Sequence, residues 1–247
     1  MRKGLMMTPR DMLLLEHLSL GPATGKSILI NIFDAEGSNR KTRERVMLRR
    51  LAKHMTEGLI KSTVCPTFKD QIYFLARKAA PIVAARYGWE ISHIWVNFNA
   101  NTVEHDLIAA GCGRKIIMEA GKKKLFELSF IVPECGLKSG NRLKKGVYYP
   151  DLLFGIKGAA GTKTFSLEVD CGSISRRDFL GKINYFEGTP VVVTKTWKRL
   201  HLLLWYLQSE KIARPVYLTT VGNFIKSGFI SCEWQSNSAG GEMRIEL

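Results

Sequence analysis

The sequence has no apolar run of the ~18 residues that a membrane-spanning helix requires. Cysteine is sparse and patternless: Cys65, Cys112, Cys135, Cys171 and Cys232 are odd in number, widely scattered, and form no Cys-x-x-Cys unit. That spacing excludes a disulfide framework and a zinc ribbon, and predicts reduced thiols in a cytoplasmic setting. The histidines, His17, His54, His93, His105 and His201, include no two that are one residue apart. The N-terminal stretch meets Asp11 before any signal-like apolar core develops, so no secretory peptide is expected. Internal repeats and low-complexity tracts are missing, with only 236–241 reading as tail. Acid is also in short supply, at 22 Asp+Glu against 37 Lys+Arg, for a formal net charge of +15. A surplus of that size favours nucleic acid or an anionic membrane as partner.

What is present suffices for one large domain or two small ones: 247 residues, 45% of them apolar. Thr8-Pro9-Arg10-Asp11 opens a helix, with Thr as cap, Pro in the first turn and an acid behind it. Gly21-Pro22 stops that helix. Ile28, Leu29, Ile32 and Phe33 predict a short second helix. A third is expected to open near Ser38-Asn39 and run to Gly58, with Met47, Leu48, Leu51 and Met55 as its apolar stripe. Lys41, Arg45, Arg49 and Lys53 recur every four residues on another face, with Arg43 and Arg50 beside them. A helix apolar on one side and cationic on the other suits docking on a core while facing phosphates. Two runs, 59–64 and 71–75, then predict a hairpin. Three helices and a hairpin make a winged helix-turn-helix pattern with the third helix in the reading position. Residues 1–80 carry fifteen Lys/Arg against seven Asp/Glu. The competing view of the third helix is a solvated basic face in an ordinary bundle.

Gly21-Pro22-Ala23-Thr24-Gly25-Lys26-Ser27 imitates a phosphate-binding loop. It is one residue short between the glycines and follows a helix rather than a strand, so it reads as a helix-to-helix turn. A helix over 79–87 and a connecting stretch over 88–101 lead to the second half. There the pattern predicts helices over 103–112, 178–186 and 197–208, and strands over 125–132, 149–156, 164–170, 191–194 and 216–220. That alternation indicates an α/β or α+β core. Lys138, Arg142, Lys144 and Lys145 mark a basic loop that is either a solvated turn or a phosphate contact. Trp205, Phe229 and Trp234 read as core or partner contacts.

The chemistry concentrates at Tyr149-Pro150-Asp151, where sixteen residues intervene before Glu168-Val169-Asp170. Phe165, Leu167 and Val169 alternate with Ser166, Glu168 and Asp170, the period of a half-buried strand, so Glu168 and Asp170 share a face. With the Asp151 strand alongside, three carboxylates converge, at a cost that a hard divalent cation such as Mg²⁺ or Mn²⁺ offsets. The bland counterpart is a pair of edge strands with acids on their wet face. Tyr148 and Tyr149 sit close to Asp151, where they read as packing at the start of a buried strand, with a covalent tyrosine nucleophile as the lesser alternative.

Pro150-Asp151 with Glu168-x-Asp170 resembles the PD-(D/E)xK nuclease superfamily, whose motif sits on adjacent strands of an αβββαβ core. Asp170 stands where that pattern carries Lys, and Lys182 on the following helix is the candidate replacement. More narrowly, the layout is similar to the replication-relaxation group and the MOBC-type conjugative relaxases. Val103-Glu104-His105-Asp106-Leu107, Phe165-Ser166-Leu167-Glu168-Val169-Asp170, and the downstream Lys182 and Tyr185 carry the likeness. It implies a winged helix-turn-helix domain over 1–88 and a restriction-endonuclease-like domain over 89–247. It also implies metal ligation by Asp151, Glu168 and Asp170, with Glu104 or His105 completing the pocket. The implied activity is a bacterial plasmid-mobilisation nickase. It would act on double-stranded DNA at an origin of transfer, with an accessory mobilisation protein and a coupling protein as partners. Two alternatives stand beside it. One is a DNA-binding replication or transcription regulator with an inactive nuclease fold, and the other is a double-strand endonuclease.

Overall fold

Thr8 opens the first helix as expected: its hydroxyl accepts the Asp11 N–H while the Asp11 carboxylate accepts the Thr8 N–H at 2.8 Å, a reciprocal cap. The computed structural model describes residues 7–34, 39–96, 98–121, 125–140, 147–158, 161–238 and 242–243. The chain divides into two compact units, Met1–Ala110 and Gly111–Leu247.

In the first unit the order is α1 (Pro9–Ser19), β1 (Ala23–Thr24), α2 (Gly25–Ile32), α3 (Arg40–Thr56), β2 (Ile60–Val64), β3 (Gln71–Leu75) and α4 (Ala80–Tyr87). A three-stranded sheet, β1-β3-β2, closes on the helices, and β2 and β3 pair antiparallel from Ile60↔Leu75 to Val64↔Gln71. β1 was not expected; it is two residues long, too short for a periodic signal. The loop that imitates a phosphate cradle holds β1 and the first turn of α2, where the Thr24 hydroxyl caps the Ser27 N–H at 3.2 Å. Leu14, Leu15, Leu18, Ile28, Met47 and Leu51 form the core. Leu48 does not join them: at 52% exposure it lies on the outer face, and buried His54 takes the inner position.

The two compact units divide at 110/111, within the helix that follows residue 102. Residues after α4 stay with the first unit because they finish its core. Ile94 is buried in it, Trp89 and Val96 pack on it, and the Trp95 N–H donates to Ser19 O at 2.7 Å. Val103, at the start of α5 (Val103–Gly121), packs with Cys65 and Ile72.

The second unit continues with β4 (Glu127–Pro133), α6 (Glu134–Gly140), β5 (Leu152–Gly158), β6 (Gly161–Asp170), α7 (Arg176–Tyr185) and β7 (Thr189–Thr194). It ends with α8 (Trp197–Ser209), β8 (Tyr217–Thr220), α9 (Val221–Ser227), β9 (Trp234–Ser236) and β10 (Glu242–Met243). These strands form one mixed sheet ordered β10-β9-β8-β7-β6-β5-β4. The β4-β5-β6 meander is antiparallel, and β6, β7 and β8 run parallel through helical crossovers. α6 replaces the start of the expected basic loop; Arg142, Lys144 and Lys145 lie outside the described residues.

Both faces of the sheet are covered. Phe179, Ile183, Leu200, Leu203 and Leu207 of α7 and α8 pack over Val192 and Leu218. On the opposite face Phe154, Phe165, Phe229 and Trp234 form a cluster of ring contacts. This double cover corrects the reading of 164–170 as half-buried: every residue from Phe165 to Asp170 is buried, the polar ones included.

Candidate functional site

The site grows from the register of β5 against β6. Leu152 pairs with Leu167, so one step further places Asp151 opposite Glu168. The Asp151 carboxylate then extends the ladder, accepting the Val169 N–H at 2.7 Å. Side chains at alternate positions of β6 turn to the α7–α8 side. Ser166 donates to Glu187 O at 2.6 Å, Glu168 meets Lys182 of α7, and Asp170 meets Arg199 of α8. The lysine expected after the motif strand therefore does reach it: Lys182 Nζ pairs with Glu168 Oε1, with Glu168 only 1% exposed and Lys182 23%.

Burial by itself works against the Lys182 ammonium. The charge and hydrogen bond of Glu168 outweigh it, with Asp151 and Glu134 adding to them, and hold the lysine above its usual range. Lys182 is consequently a fixed cation and hydrogen-bond donor at neutral pH. Asp151 and Glu168 bring two negative charges and Lys182 one positive, which leaves a net negative site under a covered sheet. That donor set fits a hard divalent cation of the Mg²⁺ kind, which binds one or two carboxylates and keeps waters for the remaining positions.

Asp170 departs from the expected set. One of its oxygens accepts Arg199 Nε at 2.6 Å and the other accepts the Gly172 N–H at 2.6 Å, while Arg199 also donates to Ile174 O at 2.7 Å. Both carboxylate oxygens are committed to holding the turn after β6 against α8. With both Asp170 oxygens engaged, Asp151 and Glu168 are the carboxylates on which a metal reading rests, and among the described residues no group of three or more His, Cys, Asp or Glu is arranged to hold a metal. Glu104 and His105 lie in the first two turns of α5, in the first unit. His105 Nδ1 is 3.3 Å from Asp106 Oδ1.

A cleft of about 340 Å³ opens beside these strands. Tyr148, Tyr149 and Pro150, which lead into Asp151, line it together with Leu153, Ser166 and Tyr185. Tyr148 and Tyr185 meet edge to face with centroids 6.3 Å apart.

On the first unit, Lys41, Arg45, Arg49 and Lys53 are exposed along α3, the face that their four-residue spacing predicted. Two expected contact residues serve the fold instead. Arg43 pairs with Asp34. Arg50 donates through Nε to Asp11 Oδ1 at 2.8 Å and through Nη2 to Thr8 Oγ1 at 3.1 Å. The position of Arg50 beside the stripe could not reveal this, because Asp11 lies 39 residues away in sequence. His54 Nε2 adds a contact of 2.9 Å to Asp11 Oδ1.

Burial alone would raise the Asp11 carboxyl. The Thr8 backbone and hydroxyl, His54 and Arg50 outweigh it and lower the pKa to about 2. The folded value lies below the ordinary 3.8, so this stabilisation is present above pH ~4 and is lost as pH falls toward 2. Asp11→Asn is expected to lower the stability of the first unit by about 2 kcal/mol at neutral pH. It should also flatten the acid limb of its unfolding profile, measured by circular dichroism between pH 2 and 7.

Comparison with family profiles, with curated proteins and with solved structures gives no match for this chain. Sequence reading missed Arg199 and Glu134 as neighbours of the acids. Neither carries a local signal, since Glu134 meets Asp151 through the β4–β5 pairing and Arg199 reaches Asp170 from α8.

Proposed function

We propose that this chain is a DNA-binding, metal-dependent endonuclease that nicks one strand, of the kind the MOBC-type relaxases represent. An origin of transfer is its target in this reading. The observation that carries the reading is the Asp151–Glu168 pair with Lys182 held against it, at the carboxyl end of β6. Supporting it, α5, β4, β5, β6, α7 and β7 give an αβββαβ order interrupted by one insertion, the short α6 between β4 and β5, with an antiparallel meander and then a parallel crossover. The PD-(D/E)xK resemblance implies that arrangement. The first unit supports duplex binding through its α1-β1-α2-α3-β2-β3 order, which suits a winged helix, and through the exposed cations on α3.

Asp151 and Glu168 are the residues that would hold Mg²⁺ or Mn²⁺. A bound divalent cation supplies Lewis acidity at the scissile phosphate. Asp151, fixed through the Val169 N–H, keeps its carboxylate directed at one point and costs no reorganisation during reaction. Lys182, fully protonated, donates to a phosphate oxygen as charge builds there and does not act as a base. Asp170 is a positioning residue: through Arg199 it fixes the end of β6 and thereby the orientation of Glu168 two residues before it. Lys41, Arg45, Arg49 and Lys53 contact phosphates of the duplex.

The test uses supercoiled plasmid carrying the gene, purified protein and Mn²⁺. Open circles formed by wild type, absent with Asp151→Asn and with chelator, are the expected result. Linear product would replace nicking with double-strand cleavage. Duplex binding without any cleavage in Mg²⁺ or Mn²⁺ would support the DNA-binding regulator instead.

A further inference from the structure

α8 carries a second surface, on the side turned away from Asp170. Its buried residues, Leu200, Leu203 and Leu207, account for the inward stripe. Trp197, His201 and Trp205 recur at four-residue intervals on the outward side, and all three are exposed, the tryptophans at 45% and 54%. Large aromatic rings left this open in water forgo the burial that normally stabilises them. At ~100° per residue the three fall within an arc of about 80°, and Lys198 lies within the same exposed side. Successive rings are about 6 Å apart along the axis.

The rings are ordered rather than loose. Trp197 and His201 present near-parallel faces, with centroids 6.1 Å apart and planes at 28°. The Arg176 guanidinium sits 5.2 Å from the centroid of Trp205 and 5.3 Å from that of Tyr206. Bonds from Arg176 to Ser209 Oγ at 2.9 Å and Glu210 Oε1 at 2.7 Å hold it there. Trp205 is thus braced by Arg176 while more than half of it remains open to solvent.

Charge selects among occupants. α8 contains no Asp or Glu, Lys198 is exposed on the same helix as the rings, and Arg177 is exposed on α7, next in sequence to the Arg176 that braces Trp205. The nearby acids are engaged: Glu210 pairs with Arg176, and Asp178 accepts the Ser175 hydroxyl at 2.7 Å. Braced rings at regular pitch with cations alongside form a stacking platform. Its pitch is about twice the ~3.4 Å rise of stacked bases, so an extended strand meets one ring per base. The cations select an anionic occupant, and a nucleic-acid strand supplies both that charge, one phosphate per nucleotide, and flat bases that stack on the rings. We propose that the outer face of α8 binds single-stranded nucleic acid by stacking bases on Trp197, His201 and Trp205, with Lys198 and Arg177 on the phosphates. This site stands whether or not the chain cuts DNA.

The test measures binding of the full chain to labelled oligo(dT) and oligo(U) of about 12 nucleotides and to a duplex of equal length. Anisotropy and tryptophan fluorescence are the two readouts. Wild type should bind single strands with quenching. Trp197→Ala/Trp205→Ala should weaken that binding about tenfold per ring, with duplex affinity within about twofold and the melting temperature unchanged. Lys198→Glu should reduce the salt slope by about one ion. The ratio of dT to U affinities then tells DNA from RNA as the natural strand. Asp151→Asn should bind single strands as wild type does, which separates this site from the cleavage reading. No single-strand binding by wild type would overturn the proposal, as would ring variants that bind normally. Ring variants that only dissociate a dimer would overturn it in favour of self-association.

Discussion

Lys182→Met is expected, on the proposed nuclease function, to lower strand cleavage about 10²–10³-fold, the loss typical of removing one preorganised donor from a developing charge. The same substitution leaves the Glu168 charge buried beside Asp151 without its counter-ion, and should cost on the order of 3 kcal/mol of stability. Glu168→Gln in the same chain removes the stranded charge, so the double variant should recover most of the melting temperature while remaining inactive. That recovery distinguishes lost chemistry from a lost fold. The pH dependence has a definite sign. The folded lysine lies above its unfolded value, so the contribution of the pair is complete below pH ~10 and is lost as pH rises through the folded pKa. Wild type and Lys182→Met should therefore differ by a constant amount from neutral pH to about 10 and converge above it. Thermal unfolding across pH 7–12 checks this; a gap that instead closes toward neutral pH would show that the pair is not ionised as described.

Gly228→Ala is expected to destabilise the second unit by about 4 kcal/mol. Gly228 ends α9 with φ +88° and ψ −177°, a conformation close to glycine-only. A Cβ there would collide with Glu119 Oε1. Glu119 is fully buried on α5, and its other oxygen accepts the Phe229 N–H at 2.7 Å, which anchors the turn that delivers Phe229 and Trp234 to the sheet. An added methyl displaces a buried carboxylate from its donor and strains the backbone at once. Glu119→Ala removes the obstruction but leaves the Phe229 N–H unsatisfied. Glu119→Ala/Gly228→Ala should therefore be no less stable than Gly228→Ala alone, a non-additive outcome read by calorimetry. Additive losses would mean that the two residues do not meet.

Much of the fold was legible because its cues are local. Thr8 and Pro9 start α1, the runs at 59–64 and 71–75 give the hairpin, and the carboxylate pattern marked β5 and β6. The elements that escaped are short or lack period: β1 has two residues, and α9 and β9 only a few more. The basic stripe on α3 was readable because spacing of four fixes a helix face. Which of its neighbours were free to meet a ligand was not readable, since Arg43 and Arg50 answer to Asp34 and Asp11. For a related reason the sequence left Trp205 open between core and partner contact, and its 54% exposure removes the first: a hydrophobic helix shows its composition in sequence, but which arc faces inward depends on the sheet beneath it.

The sequence alone determined the mixed α/β character, the placement of Asp151 and Glu168 at neighbouring strands, Asp151 just ahead of β5 and Glu168 within β6, and the surplus of positive charge. These depend on periodicities of two and four and on composition, which are properties of the chain before it folds. Tertiary structure decided the fate of each charge. Glu168 and Asp170 stand two residues apart on one strand, yet α7 brings a lysine to the first and α8 an arginine to the second. A side chain's partner across a crossover is set by helix packing and register, and no local pattern in the sequence records it.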